Sequence, residues 1–372
     1  MSKCYSCGCL LGDKNTSIEH ILLNACGGRL KSKKLLCKKC NSELGTRYDA
    51  ELAKQLNHFS NILLIKREKG KPQPTKAIND KTGEIYSIGD DGRPRFIKPE
   101  IREEKNGNMI KLSVRANNSK ELHKILKGLK RKYPKLDIEA IMQGAEEKDS
   151  YIDEPLHSKI SVGGPEANQS IAKSAIDFYL LKKHSIEDIL QIIDNLRNGN
   201  ANTNVEPINL PESMYEIDKD SVYHFICIIG DKAGSMLYAY VEYFGVYGFI
   251  VKLNSQYSGH DIFDTYCFDV LKGKEVYPRV NNCISSKMAR EYSLPKSDPK
   301  FDVLSERVGR LLGIAYKRQN DNEIGRIAKK SWDESLGKYP EGTIITPEIA
   351  SELSSAVYKN MMPYIIRHLG KE

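Results

Sequence analysis

Ser17-Ile-Glu19-His20-Ile-Leu-Leu-Asn24, then Gly27-Gly28-Arg29, then Leu35-Leu36-Cys37-Lys-Lys-Cys40-Asn41 is the stretch that decides how this chain reads. Ahead of it stands Cys4-x-x-Cys7, with 29 residues between Cys7 and Cys37. Two thiolates three positions apart can hold one ion from a tight turn, and two such turns complete a tetrahedral four-thiolate set. Cys4, Cys7, Cys37 and Cys40 are therefore the expected ligands of a structural Zn²⁺. A closed site of this kind is a staple and does no chemistry itself. Cys9 and Cys26 lack a partner at knuckle spacing, and packing is expected for them.

The rest of the composition supports that reading. The chain has 372 residues, enough for two or three domains, and 40% hydrophobic with 28% charged residues is ordinary for a globular protein. Six of the nine cysteines fall within residues 1–40, and nothing indicates the oxidising compartment that a disulfide framework needs. The most apolar stretch, Met236 to Leu253, contains Glu242, Gly245 and Gly248 and reads as sheet. Met1 is followed by polar residues and cysteines, so a soluble, cytoplasmic protein without a membrane partner is expected. The formal charge is +8, and residues 1–70 hold 13 Lys and Arg against 6 Asp and Glu. Arg29, Lys31, Lys33, Lys34, Lys38 and Lys39 crowd into residues 29–40 with no acid among them. A basic excess at one end points to a polyanion partner there.

Periodicity divides the chain into 1–70, 71–160 and 161–372. Leu52, Leu56, Phe59 and Leu63 form one apolar helix face, and Lys66–Lys76 reads as a charged linker. Turn chemistry at Asp80–Gly83 and Asp90–Gly92 separates short strands, and Ser119 is expected to cap a helix with a lysine-rich face. Residues 167–196 read as helix broken near His184-Ser185; residues 222–229, 237–244 and 249–253 read as strands. Helix dominates from Pro299 onward. The expected class is α+β: a small zinc-stabilised module joined to a larger mixed region with a helical C-terminus.

Over about residues 1–60, the order of cysteine knuckles, Glu19-His20, Gly27-Gly28 and Cys40-Asn41 resembles the HNH endonuclease family with its ββα-metal fold. The resemblance implies hydrolysis of phosphodiester bonds, with His20 as general base and Glu19 and Asn41 as ligands of a catalytic divalent cation, Mg²⁺ or Mn²⁺. The family more often has Asp at the Glu19 position, and Asp49 is an alternative or additional ligand. Leu23 stands where the family often has Pro, and Ser32-Lys33-Lys34 where it often has a bracing Asn, a role Asn24 could take instead. The chemistry suits these residue types. Histidine titrates near neutral pH and can take the proton of an attacking water, while a hard cation needs oxygen ligands. The basic residues from Arg29 to Lys39 would hold phosphates without reading sequence.

The resemblance implies an endonuclease acting on DNA, double-stranded by preference, with restriction or defence against phage as its expected role. A homo-oligomer or a defence-system partner protein fits such a role. Two alternatives stay open: a zinc-ribbon nucleic-acid binder without catalysis, and an RNA-cutting enzyme of the same chemistry. Elsewhere the expectations are structural. Gly230–Ser235 reads as a β-turn, Gly163-Gly164 as a helix entry that could also hold an anion, and Tyr238, Tyr240, Tyr243 and Phe244 as core. The polar cluster Tyr257, His260, Asp261 and Asp264 reads as loop and strand edge.

Overall fold

The computed structural model describes residues 2–107, 109–146, 151–152, 154–210, 212–281, 284–291 and 301–369. The chain falls into two compact units. One comprises residues 1–74, 90–92 and 160–318; the other comprises residues 75–89, 93–159 and 319–372.

In the first unit, the two-residue strand Glu19–His20 pairs antiparallel with Lys31–Ser32, setting Glu19 opposite Ser32 and His20 opposite Lys31. A 3-10 turn over Asn24–Cys26 joins them and ends at Gly27, whose φ of 94° is open to glycine at no steric cost. A Cβ on Gly28 would run into the Leu22 carbonyl, so both glycines are needed for the loop to fold back this tightly. The helix Lys38–Leu44 starts from Cys37, whose sulfur accepts the Cys40 N–H at 3.5 Å. A π-helical turn over Gly45–Asp49 leads into the helix Ala50–Ile62. Leu52, Leu56, Phe59 and Leu63 on that helix face are buried, as their spacing predicts.

Residues 160–318 add a six-stranded antiparallel sheet. Its order is Lys274–Val276, Ile262–Asp269, Tyr223–Asp231, Met236–Tyr243, Tyr247–Asn254 and Val205–Ile208. Alternation along the central strand sends Phe225, Cys227 and Ile229 into a core with Tyr215, Tyr238, Tyr240 and Ile250. The opposite face carries His224, whose Nε2 meets the Cys26 carbonyl of the N-terminal module at 2.9 Å. The helix Pro165–Leu181 packs on the sheet through contacts such as Phe178 with Tyr266 and Ser174 with Tyr243. It is buried along almost its whole length from Ala167 to Tyr179. The break expected near His184-Ser185 is there, followed by the helix Leu190–Asn198.

In the second unit, a four-stranded antiparallel sheet runs in the order Pro94–Phe96, Ile85–Ile88, Thr75–Asn79, Leu156–His157. Beside it are the hairpin Glu100–Asn106 with Met109–Arg115 and the helix Ser119–Lys132. Asn118, rather than Ser119, caps that helix, accepting the Glu121 N–H at 2.9 Å. Helix prevails in the C-terminal region, over Phe301–Ser335 and Pro347–Leu369; residues 292–300 and 370–372 lie outside the described residues. The Phe301–Ser335 helix belongs to the first unit through Arg318 and to the second from Gln319. No described helix is long and apolar enough to cross a membrane.

Candidate active site

The cysteines gather as the knuckle spacing requires, with one change of membership. The sulfurs of Cys4, Cys7, Cys9 and Cys37 lie within 4.8 Å of one another. Cys9, expected to pack, joins them because its carbonyl accepts the Cys4 N–H at 2.8 Å and Gly8 turns the chain at φ 74°. Cys40 lies beside the group, its thiol against those of Cys7 and Cys37. The Cys9 backbone N–H holds the Cys7 thiol down to about 6, which favours the thiolate a metal needs. Cys26 is fully buried and stays a packing residue; burial pushes its thiol up to about 12. A tight set of soft sulfur donors fits Zn²⁺.

A cleft of about 270 Å³ opens beside this staple, lined by Glu19, His20, Asn24, Asn41 and Asp49 with apolar neighbours. Asn41 enters from the start of the helix that follows the second knuckle. Its Nδ2 donates to Ser17 Oγ at 2.8 Å and to the Ile18 carbonyl at 3.1 Å, which leaves Oδ1 as a free hard acceptor. The π-turn brings Asp49 to the same cleft, where Ser170 Oγ donates to its Oδ1 at 2.6 Å.

His20 is half-buried, and its Nε2 meets Glu68 Oε2 at 2.9 Å. Hydrogen bonds from His20 and Lys31 pull the Glu68 carboxyl down to about 2, so it is a carboxylate and only accepts. His20 Nε2 is therefore the donor of this pair, and in the neutral ring the lone pair lies on Nδ1. Asn24 completes the brace: its Oδ1 accepts from Arg29 at 3.2 Å and from the Glu68 N–H at 3.0 Å. Residues 66–68, read from sequence as linker, are thereby pinned to the cleft.

Glu19 is buried and pairs with Lys173, which also lies 3.2 Å from Asp49 Oδ2 and 3.4 Å from Asp177 Oδ2. Burial alone would lower the lysine, but the three carboxylates outweigh it and hold the ammonium well above its ordinary value. Burial pushes the Glu19 carboxyl up to about 8 against the pull of Lys173, with Asp177 and Asp49 adding to the rise. Three carboxyl groups share one ammonium, and a cation in the cleft would favour the charged form of Glu19 that burial opposes. The hard oxygen donors of Glu19, Asn41 and Asp49 fit a divalent cation.

Among the basic residues, Lys31 pairs with Glu68, Arg29 donates to the Lys66 carbonyl at 2.6 Å, and Lys38 donates to the Lys14 carbonyl at 3.0 Å. Lys33, Lys34 and Lys39 are exposed. Gly163 is no anion seat, since its N–H donates to Gln55 Oε1 at 2.9 Å. Gly230–Ser235 links two sheet strands as a turn, and the tyrosines of Met236–Tyr243 are core. Asp264 pairs with His184 at 2.6 Å, and among the described residues the cysteines form the one group placed to hold a metal through His, Cys, Asp or Glu alone.

Sequence reasoning missed Glu68, Ser170, Lys173 and Asp177. For Lys173 there was a signal. The spacing of Lys173 and Asp177, four residues apart on one helix face, marks a candidate pair, and burial of that face is what the sequence does not show.

Residues 4–57 match the family model of the HNH endonucleases. Comparison with curated proteins and with solved structures gave no match. The matched segment contains both knuckles, the Glu19-His20 strand, Asn41 and Asp49, which together make the N-terminal module an HNH domain and the chain a candidate nuclease.

Proposed function

We propose that the protein is a metal-dependent HNH endonuclease that hydrolyses phosphodiester bonds in DNA. What carries this reading is the meeting of Glu19, His20, Asn41 and Asp49 on one cleft, inside the segment that matches the family. His20, with Nε2–H engaged by Glu68, takes a proton at Nδ1 from the water that attacks phosphorus. Glu19, Asn41 and Asp49 would hold a divalent cation, Mg²⁺ or Mn²⁺. When bound, that ion would supply charge stabilisation to the leaving oxygen. Lys33, Lys34 and Lys39 would meet the phosphates of the substrate, with Arg29, Lys31 and Lys38 adding positive charge beside them. Zn²⁺ on the cysteines would hold Cys37, the cap of the helix that carries Asn41. A restriction or phage-defence role follows from the family alone.

The test is cleavage of supercoiled plasmid with Mg²⁺ or Mn²⁺ by the wild type and by His20→Ala, with zinc measured on both. The expected result is nicking or cutting by the wild type, none by the variant, and equal zinc. Undiminished cleavage by His20→Ala would overturn the assignment. Binding without cleavage under every metal would favour a zinc-ribbon binder, and preference for an RNA competitor would change the substrate.

A further inference from the structure

Lys173 lies on the helix Pro165–Leu181, more than a hundred residues beyond the segment that matches the HNH family. Its side chain is 1% exposed, and its ammonium touches Glu19, Asp49 and Asp177. It does not line the cleft, whereas Glu19 and Asp49 do. The ammonium therefore sits behind the two carboxylates, outside the place a cation would take between them. It grips Glu19 by Oε1 and Asp49 by Oδ2, and Ser170, from the same helix, holds Asp49 by Oδ1. Glu19 is gripped through Oε1 and still lines the cleft. Asp177, one helical turn beyond Lys173 and fully buried, lies 3.4 Å from the ammonium and beside the Tyr5 hydroxyl, and steadies the ammonium by charge.

Glutamate has one more torsion than aspartate, and Glu19 stands at a strand only two residues long. Such a side chain needs an outside partner if its free oxygen is to be held at one point. We propose that Lys173 is a positioning residue of the catalytic metal site. It aligns Glu19 and Asp49 for the divalent cation, so the HNH module depends on the 165–181 helix for a working centre. This rests on the nuclease reading above and adds a residue to it that lies outside the matched segment.

Charge and position make opposite predictions. Lys173→Gln removes a positive charge beside the cation, so Coulomb's law alone predicts tighter metal binding. A positioning role predicts weaker binding, by about 10- to 100-fold as for other groups that orient metal ligands. A second variant, Lys173→Met with Asp177→Leu, removes one ammonium and one carboxylate together. It leaves the net formal charge of the cluster unchanged and isolates geometry.

The experiment uses the full-length, zinc-loaded protein. Mn²⁺ binding is followed by electron paramagnetic resonance, and the Mg²⁺ concentration for half-maximal plasmid cleavage is measured alongside. Asp177→Asn, which keeps the Lys173 pairs with Glu19 and Asp49, is the control. Either Lys173 variant suffices, provided it retains zinc and a cooperative thermal transition. The expected result is weaker Mn²⁺ binding and a higher Mg²⁺ requirement in the Lys173 variants, with Asp177→Asn close to wild type. Equal or tighter Mn²⁺ binding in the Lys173 variants overturns the inference and leaves the nuclease reading standing. Equal losses in Asp177→Asn also overturn it, since they would show general loosening of a buried cluster. A wild type that neither binds Mn²⁺ nor cuts overturns both readings together.

Discussion

His224 joins the central sheet to the N-terminal module, and acid should break that joint. Its Nε2 faces the Cys26 carbonyl at 2.9 Å, and its Nδ1 accepts the Phe244 N–H at 3.0 Å. Both bonds require the neutral ring with the proton on Nε2. The side chain is fully buried, and burial lowers its pKa from 6.5 to about 4 although the Cys26 carbonyl pulls the other way. In the unfolded chain the ring takes up a proton near 6.5. Between that value and about 4 the unfolded state binds more protons, so stability falls as pH falls. At about 1.4 kcal/mol per pH unit, His224 accounts for about 3 kcal/mol once the pH is below both values. Most of it is lost between pH 6.5 and 4.5.

Glu19 and Asp177 titrate with the opposite sign, because their raised carboxyls hold protons in the folded state. The prediction is therefore stated as a difference between proteins. Gln at position 224 can donate to the Cys26 carbonyl and accept from Phe244 without titrating. Urea denaturation of wild type and His224→Gln at several pH values between 4.5 and 7.5 isolates the term. The wild type should lose about 2 kcal/mol more than the variant from pH 7 to pH 4.5. Parallel pH profiles for the two proteins would refute a buried neutral His224. The loss should also be felt at the cleft. Cys26 ends the turn that Gly27 and Gly28 close, and Glu19 and His20 stand just before that turn. Acid should release the module from the sheet before it releases zinc.

Glu68→Ala removes the carboxylate that fixes the His20 tautomer; because the pair is partly exposed, single-turnover cleavage should fall by only about tenfold, with zinc content unchanged. An unchanged rate would show that the Glu68 contact does not orient the base. At the staple, five thiols stand where four suffice. Cys9→Ser and Cys40→Ser should each keep one zinc per chain against a moderate chelator, while the double variant should lose it. Loss of zinc from one single variant alone would identify that cysteine as indispensable.

What the sequence reveals and what it hides follow from the range of the forces involved. The two knuckles, the Gly27-Gly28 fold-back and the helix face of Leu52, Leu56, Phe59 and Leu63 are local. Spacing, φ and periodicity carry them, so they could be read without coordinates. Cys9 was hidden by a turn at Gly8, because knuckle spacing says which thiols can meet and does not say which neighbour the turn adds. Glu68 was hidden by its surroundings: a glutamate amid Lys66, Arg67 and Lys69 reads as solvated, and contacts with His20, Lys31, Asn24 and Arg29, all more than 35 residues away, tie that segment to the cleft.

Lys173 is the harder case, because its partner Glu19 is 154 residues away. Sequence shows that Lys173 and Asp177 share a helix face, and it leaves open what that face meets. A buried ammonium persists only where charge of the opposite sign meets it. The helix around it offers Asp177 alone, so the remaining charge had to come from another part of the chain. Once Lys173 is known to be buried, its charge requires acidic partners, and two of the three come from a distant part of the chain. Those two, Glu19 and Asp49, line the cleft of the segment that matches the HNH family, which ties the fold of residues 160–318 to that segment.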